Sequence, residues 1–114
     1  MKARIRALER RIASIKLKLA AVGELRPGSL SEQYNVCGNA TCRCKADPPQ
    51  KHGPYHQLSW TRKRRSGTRF VRRSELATVQ TQIKNYERLQ GLVDQWVELS
   101  IELTDLKLKE AKKG

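Results

Sequence analysis

The chain has 114 residues and a formal net charge of +13, from 24 Lys and Arg against 11 Asp and Glu. Hydrophobic residues make up 38% and aromatic residues 5%, which is too little for a large globular core. No apolar run approaches the roughly 20 residues that a membrane span needs. The N-terminus alternates Lys and Arg with apolar residues, unlike a signal peptide. These features predict one compact, cytoplasmic domain with no membrane partner.

The positive charge is concentrated in the first two thirds of the chain. Residues 1–26 carry a net charge of +6, residues 27–73 carry +8, and residues 74–114 carry −1. Such asymmetry favours a polyanionic partner for the basic segments, with nucleic acid ahead of an anionic membrane surface. The same boundaries predict three segments: a basic N-terminal helix, a metal knuckle with a basic hairpin, and a long C-terminal helix.

The first segment has the apolar pattern of a helix that packs lengthwise on another helix. Its apolar residues alternate steps of three and four along the chain: Ile5, Leu8, Ile12, Ile15, Leu19 and Val22. Gly23 and Pro27 are expected to end the helix. The cations Arg4, Arg11 and Lys18 step by seven, so they share one face. They either extend a nucleic-acid surface or pair with acids of the C-terminal helix.

The third segment predicts a helix from about Ser74 to Lys112, with no Pro and one Gly. Its second half carries two adjacent apolar stripes. Stripe A comprises Leu92, Trp96, Leu99, Leu103 and Leu106, and stripe B comprises Val93, Val97, Ile101 and Leu108. One short helix cannot cover both stripes. We therefore expect a hairpin with the N-terminal helix and assign stripe A to self-association, most simply as a homodimer.

The middle segment contains every Cys, Pro and His of the chain. It predicts a strand over 55–62, a turn over 64–67 and a returning strand over 68–72. A two-stranded hairpin is marginally stable alone, so a local ligand is expected to hold it. The predicted fold class is α+β and mainly α, with two long helices, antiparallel and coiled-coil-like, flanking a small zinc-stabilised β-hairpin.

The expected ligand of that segment is a metal ion. Cys37, Cys42, Cys44 and His52 supply three thiolates and one imidazole, a complete tetrahedral set for one structural zinc ion per chain. An odd number of Cys argues against a disulfide framework. The spacing C-x4-C-x-C-x7-H is not among the common finger spacings, and ordinary thiols in a loop are the alternative. His56 is the rival fourth ligand on this reasoning.

The Cys37-Gly38 and Cys42-Arg43-Cys44 knuckle, followed by His52-Gly53-Pro54-Tyr55, resembles a bacterial family of small proteins of unknown function. Genes of that family often occur with transposases and other mobile elements. The resemblance covers most of the chain in the same order of segments. It implies that Cys37, Cys42, Cys44 and His52 act together, and it favours His52 over His56. It supplies no reaction.

The predicted hairpin carries seven cations within twelve residues and no acid: Arg62, Lys63, Arg64, Arg65, Arg69, Arg72 and Arg73. A two-stranded ribbon fits the major groove of DNA, and Arg suits bidentate contacts with phosphate or guanine. We therefore predict that these residues contact nucleic acid, with DNA and RNA both open. Tyr55 and Trp60 could stack on exposed bases, although inward-facing positions that cover the knuckle fit them better.

Catalysis is not expected, because the chain has two His, one of them assigned to metal, and no phosphate loop or nucleophile constellation. The first functional hypothesis is a zinc-stabilised nucleic-acid-binding accessory or regulatory protein of a mobile element, within a larger nucleoprotein machine. The alternative is an adaptor that uses its long helix for self-association or for docking to a larger enzyme.

Overall fold

The structure is a computed structural model that describes residues 1–113. Gly114, the last residue of the predicted C-terminal segment, lies outside the described residues. The elements in chain order are α1 (Lys2–Ala20), β1 (Ser29–Asn35), β2 (His52–Arg62), β3 (Arg65–Val71) and α2 (Leu76–Lys113). The chain forms two compact units. The helical unit comprises Met1–Leu25 and α2 from Asn85 onward, and the sheet unit comprises Arg26–Lys84.

The helical unit is held by an aliphatic core between its two helix segments. The buried members are Leu8, Ile12, Ile15, Leu92 and Leu99, and the partly buried residues packed on them are Leu19, Val22, Trp96, Leu103 and Leu106. The segments run in opposite directions, since Arg4 pairs with Glu102 whereas a Cβ on Gly23 would meet Asn85. Along the described part of the chain, neither helix has a stretch apolar and long enough to cross a membrane.

The sheet unit contains a three-stranded antiparallel sheet in the order β1-β2-β3. Alternation along the strands gives the sheet two different faces. On the inner face, Leu58 and Val71 form a small core with Val79 of α2, with further apolar side chains packed around them. The outer face is polar apart from two aromatic rings. The buried core of this unit is therefore a thin layer on one side of the sheet.

Trp60 occupies a fixed place on the inner face. It pairs in register with Gly67, and a Cβ added to Gly67 would lie 2.6 Å from the indole ring. The guanidinium of Arg26 lies over the ring at 5.0 Å from its centroid. Gly67 thus serves close packing within a strand, which explains why its use as a turn signal was wrong.

The turn between β2 and β3 consists of Lys63 and Arg64. Both have positive φ, 51° and 65°, as a two-residue hairpin turn of type I′ requires. Asn and Gly are the usual residues at such positions, so two long cationic side chains give no turn signal in the sequence. The turn projects from the end of the hairpin, and both side chains are exposed.

The predicted fold class is wrong in its arrangement of the elements. The β part is a three-stranded sheet rather than a hairpin, and the helices do not flank it. The missing strand is β1, whose sequence SLSEQYN has a single aliphatic residue, Leu30. Since β1 has an open outer face and pairs with β2 across a long loop, it lacks the apolar alternation that identifies a half-buried strand.

Candidate metal centre

A cluster of three Cys and one His lies where β1 and β2 meet at one end of the sheet. Asn35, the last residue of β1, is paired with His52, the first residue of β2. The loop of residues 36–51 leaves and returns at this point. Cys37 is the second residue after β1, and Cys42 and Cys44 lie at a short 3-10 turn within the loop. The topology therefore brings together ligands that are separated along the chain.

The four side chains offer their donor atoms to a common point. The Sγ atoms of Cys37 and Cys44 are 3.5 Å apart, and Cys42 Sγ is 3.2 Å from Nε2 of His52. All four donor atoms lie within 4.8 Å of one another. A tetrahedral zinc ion with Zn–S bonds of about 2.3 Å would hold its ligand atoms about 3.5–3.8 Å apart. The cluster is thus close enough to bind one metal ion.

Backbone amides support the sulfurs. The amide of Cys37 donates to Sγ of Cys44 at 3.3 Å. A hydrogen bond from the amide of Cys44, followed by contacts with the neighbouring thiols, lowers the pKa of Cys42 to about 6. For Cys44, the Cys37 amide favours the thiolate, but burial and the adjacent thiols outweigh it and raise the pKa. Three thiolates in this space repel one another, and a divalent cation would neutralise them.

The loop is shaped by its own polar contacts. Oδ1 of Asn39 accepts from the amide and the hydroxyl of Thr41, at 3.0 and 2.8 Å. The amide of Cys42 donates to the carbonyl of Asn39, and that of Gln50 donates to the carbonyl of Arg43. Cys44 is the only fully buried Cys of the cluster. These contacts close the loop around the thiols, which fits a structural metal with no open coordination position.

His56, the rival ligand, lies outside the cluster. Its Nε2 is 3.6 Å from a carboxylate oxygen of Glu32. In register, His56 pairs with Glu32 of β1 and Val71 of β3, so its side chain is on the inner face of the sheet. Three residues of β2 lie between it and His52. The structure therefore brings His52, and not His56, to the three Cys.

The seven predicted nucleic-acid contacts lie in two groups and one isolated position, and all seven are exposed. Arg62, Lys63, Arg64 and Arg65 form the end of the β2–β3 hairpin, and Arg72 and Arg73 follow β3 at its other end. Arg69 stands on the inner face opposite Leu58, and its guanidinium is 3.3 Å from Glu75. Within residues 1–113, its side chain is the only one of the seven that pairs with a carboxylate.

The two stripes of α2 have different surroundings. Stripe A, the predicted self-association surface, lies against α1 within the chain. Stripe B is exposed along its whole length. The two helix segments thus cover stripe A themselves, and the apolar surface that remains open in the helical unit is stripe B.

The outer face of the sheet was not singled out from the sequence. It consists of ten uncharged residues, identified by the register as Ser29, Ser31, Gln33, Tyr55, Gln57, Ser59, Thr61, Ser66, Thr68 and Phe70. Tyr55 and Phe70 contact each other, with ring centroids 5.5 Å apart and planes inclined at 57°. The amides of Gln33 and Gln57 are hydrogen-bonded. Alternation of Tyr55, Gln57, Ser59 and Thr61 was the available signal.

The site and the fold define the chain as a small α+β protein with a Cys3His cluster. It belongs to the family described as a domain of unknown function (DUF6788), which matches residues 1–81. The matched region includes all four clustered residues and the complete sheet. No curated protein and no solved structure matches the chain.

Proposed function

We propose that this protein binds nucleic acid as an accessory or regulatory protein, and that one structural zinc ion per chain stabilises the sheet that presents the binding residues. The observation that carries the proposal is the exposed end of the β2–β3 hairpin, where four consecutive cations, Arg62 to Arg65, have no carboxylate partner in the described part of the chain. A polyanion is the partner that such a group fits.

The charge of the sheet unit supports this proposal. The unit holds twelve Lys and Arg against three Asp and Glu, a net of +9 out of the +13 of the whole chain. A solubility role would require no such concentration. Arg and Lys on a rigid turn can meet phosphates without first ordering a loop, so the entropy lost on binding is small.

Zinc is the proposed metal because of the donor set. Three thiolates with one imidazole are soft donors that suit Zn2+ and disfavour Mg2+ or Ca2+. Four protein ligands leave no position for water or substrate, so the ion would have a structural rather than a catalytic role. The small core of the sheet unit gives such an ion a clear purpose. We accordingly propose a binding protein and not an enzyme.

The cellular setting is proposed from the sequence resemblance. The knuckle and the H-G-P-Y segment resemble proteins encoded beside transposases, so a cytoplasmic component of a mobile-element nucleoprotein machine is the role that we propose. Nucleic-acid binding by a small basic subunit would serve that role by positioning a larger enzyme on its substrate.

The test compares two triple charge reversals in the zinc-loaded protein. The first is Lys63→Glu, Arg64→Glu and Arg65→Glu at the hairpin end. The matched control, Lys107→Glu, Lys109→Glu and Lys112→Glu on α2, changes the net charge equally. Binding to labelled DNA and RNA is measured by fluorescence anisotropy over a range of salt concentrations.

The proposal predicts that the hairpin variant loses binding and that the control retains most of it. The plot of log K against log salt should become shallower by about 0.9 for each duplex phosphate that the variant no longer neutralises, or by about 0.7 on a single strand. Absence of wild-type binding at low salt would refute the proposal. Equal losses in both variants would show that only the overall charge matters.

Stripe B favours a second candidate function, an interaction module. Val93, Val97 and Ile101 are 40–52% exposed and follow one another at helical spacing, so they form a continuous apolar strip. A partner helix, including a second copy of the chain, would bury it. Sedimentation equilibrium of the wild type and of Ile101→Glu tests this: a concentration-dependent dimer abolished by the substitution supports it, and a monomer in both contradicts self-association.

A further inference from the structure

The outer face of the sheet combines three properties that a site for unpaired bases requires. Most of its side chains are solvent-exposed, it carries two aromatic rings, and its residues bear no charge. Phe70 is 59% exposed although it is a large apolar residue. The tilted contact with Tyr55 holds the Phe70 ring in place without covering it.

We propose that this outer face binds a single-stranded nucleic acid, with Tyr55 and Phe70 as the platform on which unpaired bases stack. The inference rests on the proposed function and extends it, because it selects single strands over duplex. Every base has a π-face, so aromatic side chains bind unpaired bases with little regard to sequence. In a duplex those faces are stacked inside and unavailable.

The charges around the platform match a phosphate backbone. Beside the rings is a groove of about 450 Å³ whose lining includes Tyr55, Phe70, Arg72 and Arg73. A base on Phe70 would therefore have two guanidinium groups near its phosphate. The second group of cations is Lys63 and Arg64 of the turn, because the register places Arg62 and Arg65 on the inner face. Arg64 lies six residues from Phe70 along the chain, or about 20 Å. A strand that crosses the face would meet cations at both ends.

The uncharged side chains between these ends suit the edges of bases. Gln33 and Gln57 each present an amide with donor and acceptor atoms, and their mutual hydrogen bond orders both side chains. The hydroxyls of Thr61 and Ser66 are 2.9 Å apart and similarly ordered. Such groups can bond the Watson–Crick edge of an unpaired base. Lys and Arg contact phosphates instead, and they are confined to the ends of the face.

The experiment measures three probes with the zinc-loaded full chain: a labelled oligouridine, a labelled oligothymidine and a DNA hairpin duplex of matched length. The variants are Phe70→Ala, Tyr55→Ala and the conservative Phe70→Tyr. Leu17→Ala is the matched control, since Leu17 is an exposed apolar residue, at 74%, in the helical unit and outside stripe B. Zinc content and circular dichroism establish that each variant is folded.

The expected result is tighter binding of at least one single-stranded probe than of the duplex. Phe70→Ala should weaken single-strand binding by about 5- to 160-fold, as the loss of one stacked base predicts, with little change in salt slope. Tyr55→Ala should weaken it as well. Phe70→Tyr and Leu17→Ala should bind as the wild type does. The ratio of the uridine and thymidine affinities reports whether RNA or DNA is preferred.

The failures of the two proposals are distinguishable. Binding that prefers the duplex, or that is unaffected by Phe70→Ala, would overturn the stacking platform and leave the cationic hairpin as the binding element. A loss in Phe70→Ala accompanied by a matching loss of salt slope would also overturn it, because stacking carries no charge. No binding to any probe would overturn both.

Discussion

The helical unit and the sheet unit differ in what holds each of them together. In the helical unit, five buried aliphatic residues and five partly buried ones form a continuous core along both helix segments. In the sheet unit, the corresponding core has three buried residues and four partly buried ones, and a cluster of Cys and His lies at the end of the sheet. One unit relies on apolar burial, whereas the other has too little of it.

The two units also differ in surface charge, and the unit with the smaller core is the more highly charged. The sheet unit, with the smaller core, carries the hairpin cations, the aromatic platform and most of the net charge. Clustered like charges repel one another and destabilise a compact state. A metal ion that closes the long loop can offset that repulsion without adding apolar surface. On the proposed function, a metal bound at the cluster would let this small unit present a strongly basic surface to a polyanion.

Removal of the metal is expected to have the largest effect on the difference in stability between the two units. Structural zinc contributes on the order of 10 kcal/mol in small modules, more than the core of three residues can replace. We expect Cys44→Ser, or a strong chelator, to unfold the sheet unit. Hydrogen exchange should show a loss of amide protection over β1, β2 and β3, whereas α1 remains protected by its own core. Metal analysis should give about one zinc per chain in the wild type.

Two His variants provide the matched control for that test. His52→Ala removes a cluster residue, and His56→Ala removes a neighbour whose contact is with Glu32. We expect the first to lose metal and the second to keep it. Metal binding that survives His52→Ala but not His56→Ala would assign the ligands differently. If metal removal lowered amide protection in both units, the proposal that only the sheet unit depends on metal would be contradicted.

Truncation of one buried Leu in each unit should give the next largest change in the free energy of unfolding. Leu8 and Leu58 are both fully buried, so Leu8→Ala and Leu58→Ala remove the same side-chain atoms. Each should lower the free energy of unfolding of its own unit by about 2–5 kcal/mol. Denaturation followed by exchange at each unit measures this.

The two Leu variants are expected to differ in how much they destabilise the protein once metal is removed. Without metal, Leu58→Ala should cause little additional loss, because the sheet unit is then already unfolded. Leu8→Ala should destabilise the helical unit equally with and without metal. If Leu58→Ala remained strongly destabilising in the metal-free protein, the sheet would have a sufficient core of its own.

The features that could be predicted from the sequence are those with a local signal. The steps of three and four from Ile5 to Ile15 correspond to the four buried residues of α1. The residues of the Cys and His cluster could be identified because all Cys fall within eight residues and a His follows closely. These residues could be recognised from their side-chain chemistry without knowledge of the fold.

The features that were missed depend on pairing between distant residues. The sequence of β1 has no local pattern of a strand, because Leu30 is its only aliphatic residue on the inner face. The residue that pairs with Leu30 is Leu58, which follows the loop of residues 36–51. The turn at Lys63 and Arg64 is adopted without the usual turn residues, while Gly67 nearby gave a false signal. The platform of Tyr55 and Phe70 emerges only when the register of β2 and β3 is known.

The turn provides a smaller test with two variants that each lose one positive charge. The first is expected to stabilise the sheet unit and the second to destabilise it. Arg64 has a φ of 65°, a conformation that costs a non-Gly residue about 1 kcal/mol. Arg64→Gly should therefore stabilise the sheet unit by about 1 kcal/mol, measured as a higher denaturation midpoint. Arg65→Gly is the matched control with the same loss of charge. Since Arg65 lies in β3, that change should destabilise by about 0.5–1 kcal/mol.

The smallest effect concerns the ion pair of the helical unit. Nε and Nη2 of Arg4 donate to one carboxylate oxygen of Glu102, at 2.9 and 2.7 Å, with both side chains nearly half exposed. A double-mutant cycle with Arg4→Met and Glu102→Gln should give a coupling of about 0.2–1 kcal/mol that falls as salt is added. Arg11→Met with Glu102→Gln, the control cycle, should be additive.

Salt should act on the sheet unit with the opposite sign. The four cations at its hairpin end, Arg62 to Arg65, have no carboxylate partner within the described residues, so screening removes repulsion there instead of attraction. The zinc-loaded sheet unit should therefore gain stability as salt rises, while the Arg4–Glu102 coupling in the helical unit declines. A loss of stability in both units with salt would mean that the sheet-unit cations have attractive partners, and the hairpin end would no longer stand as an unpaired site for a polyanion.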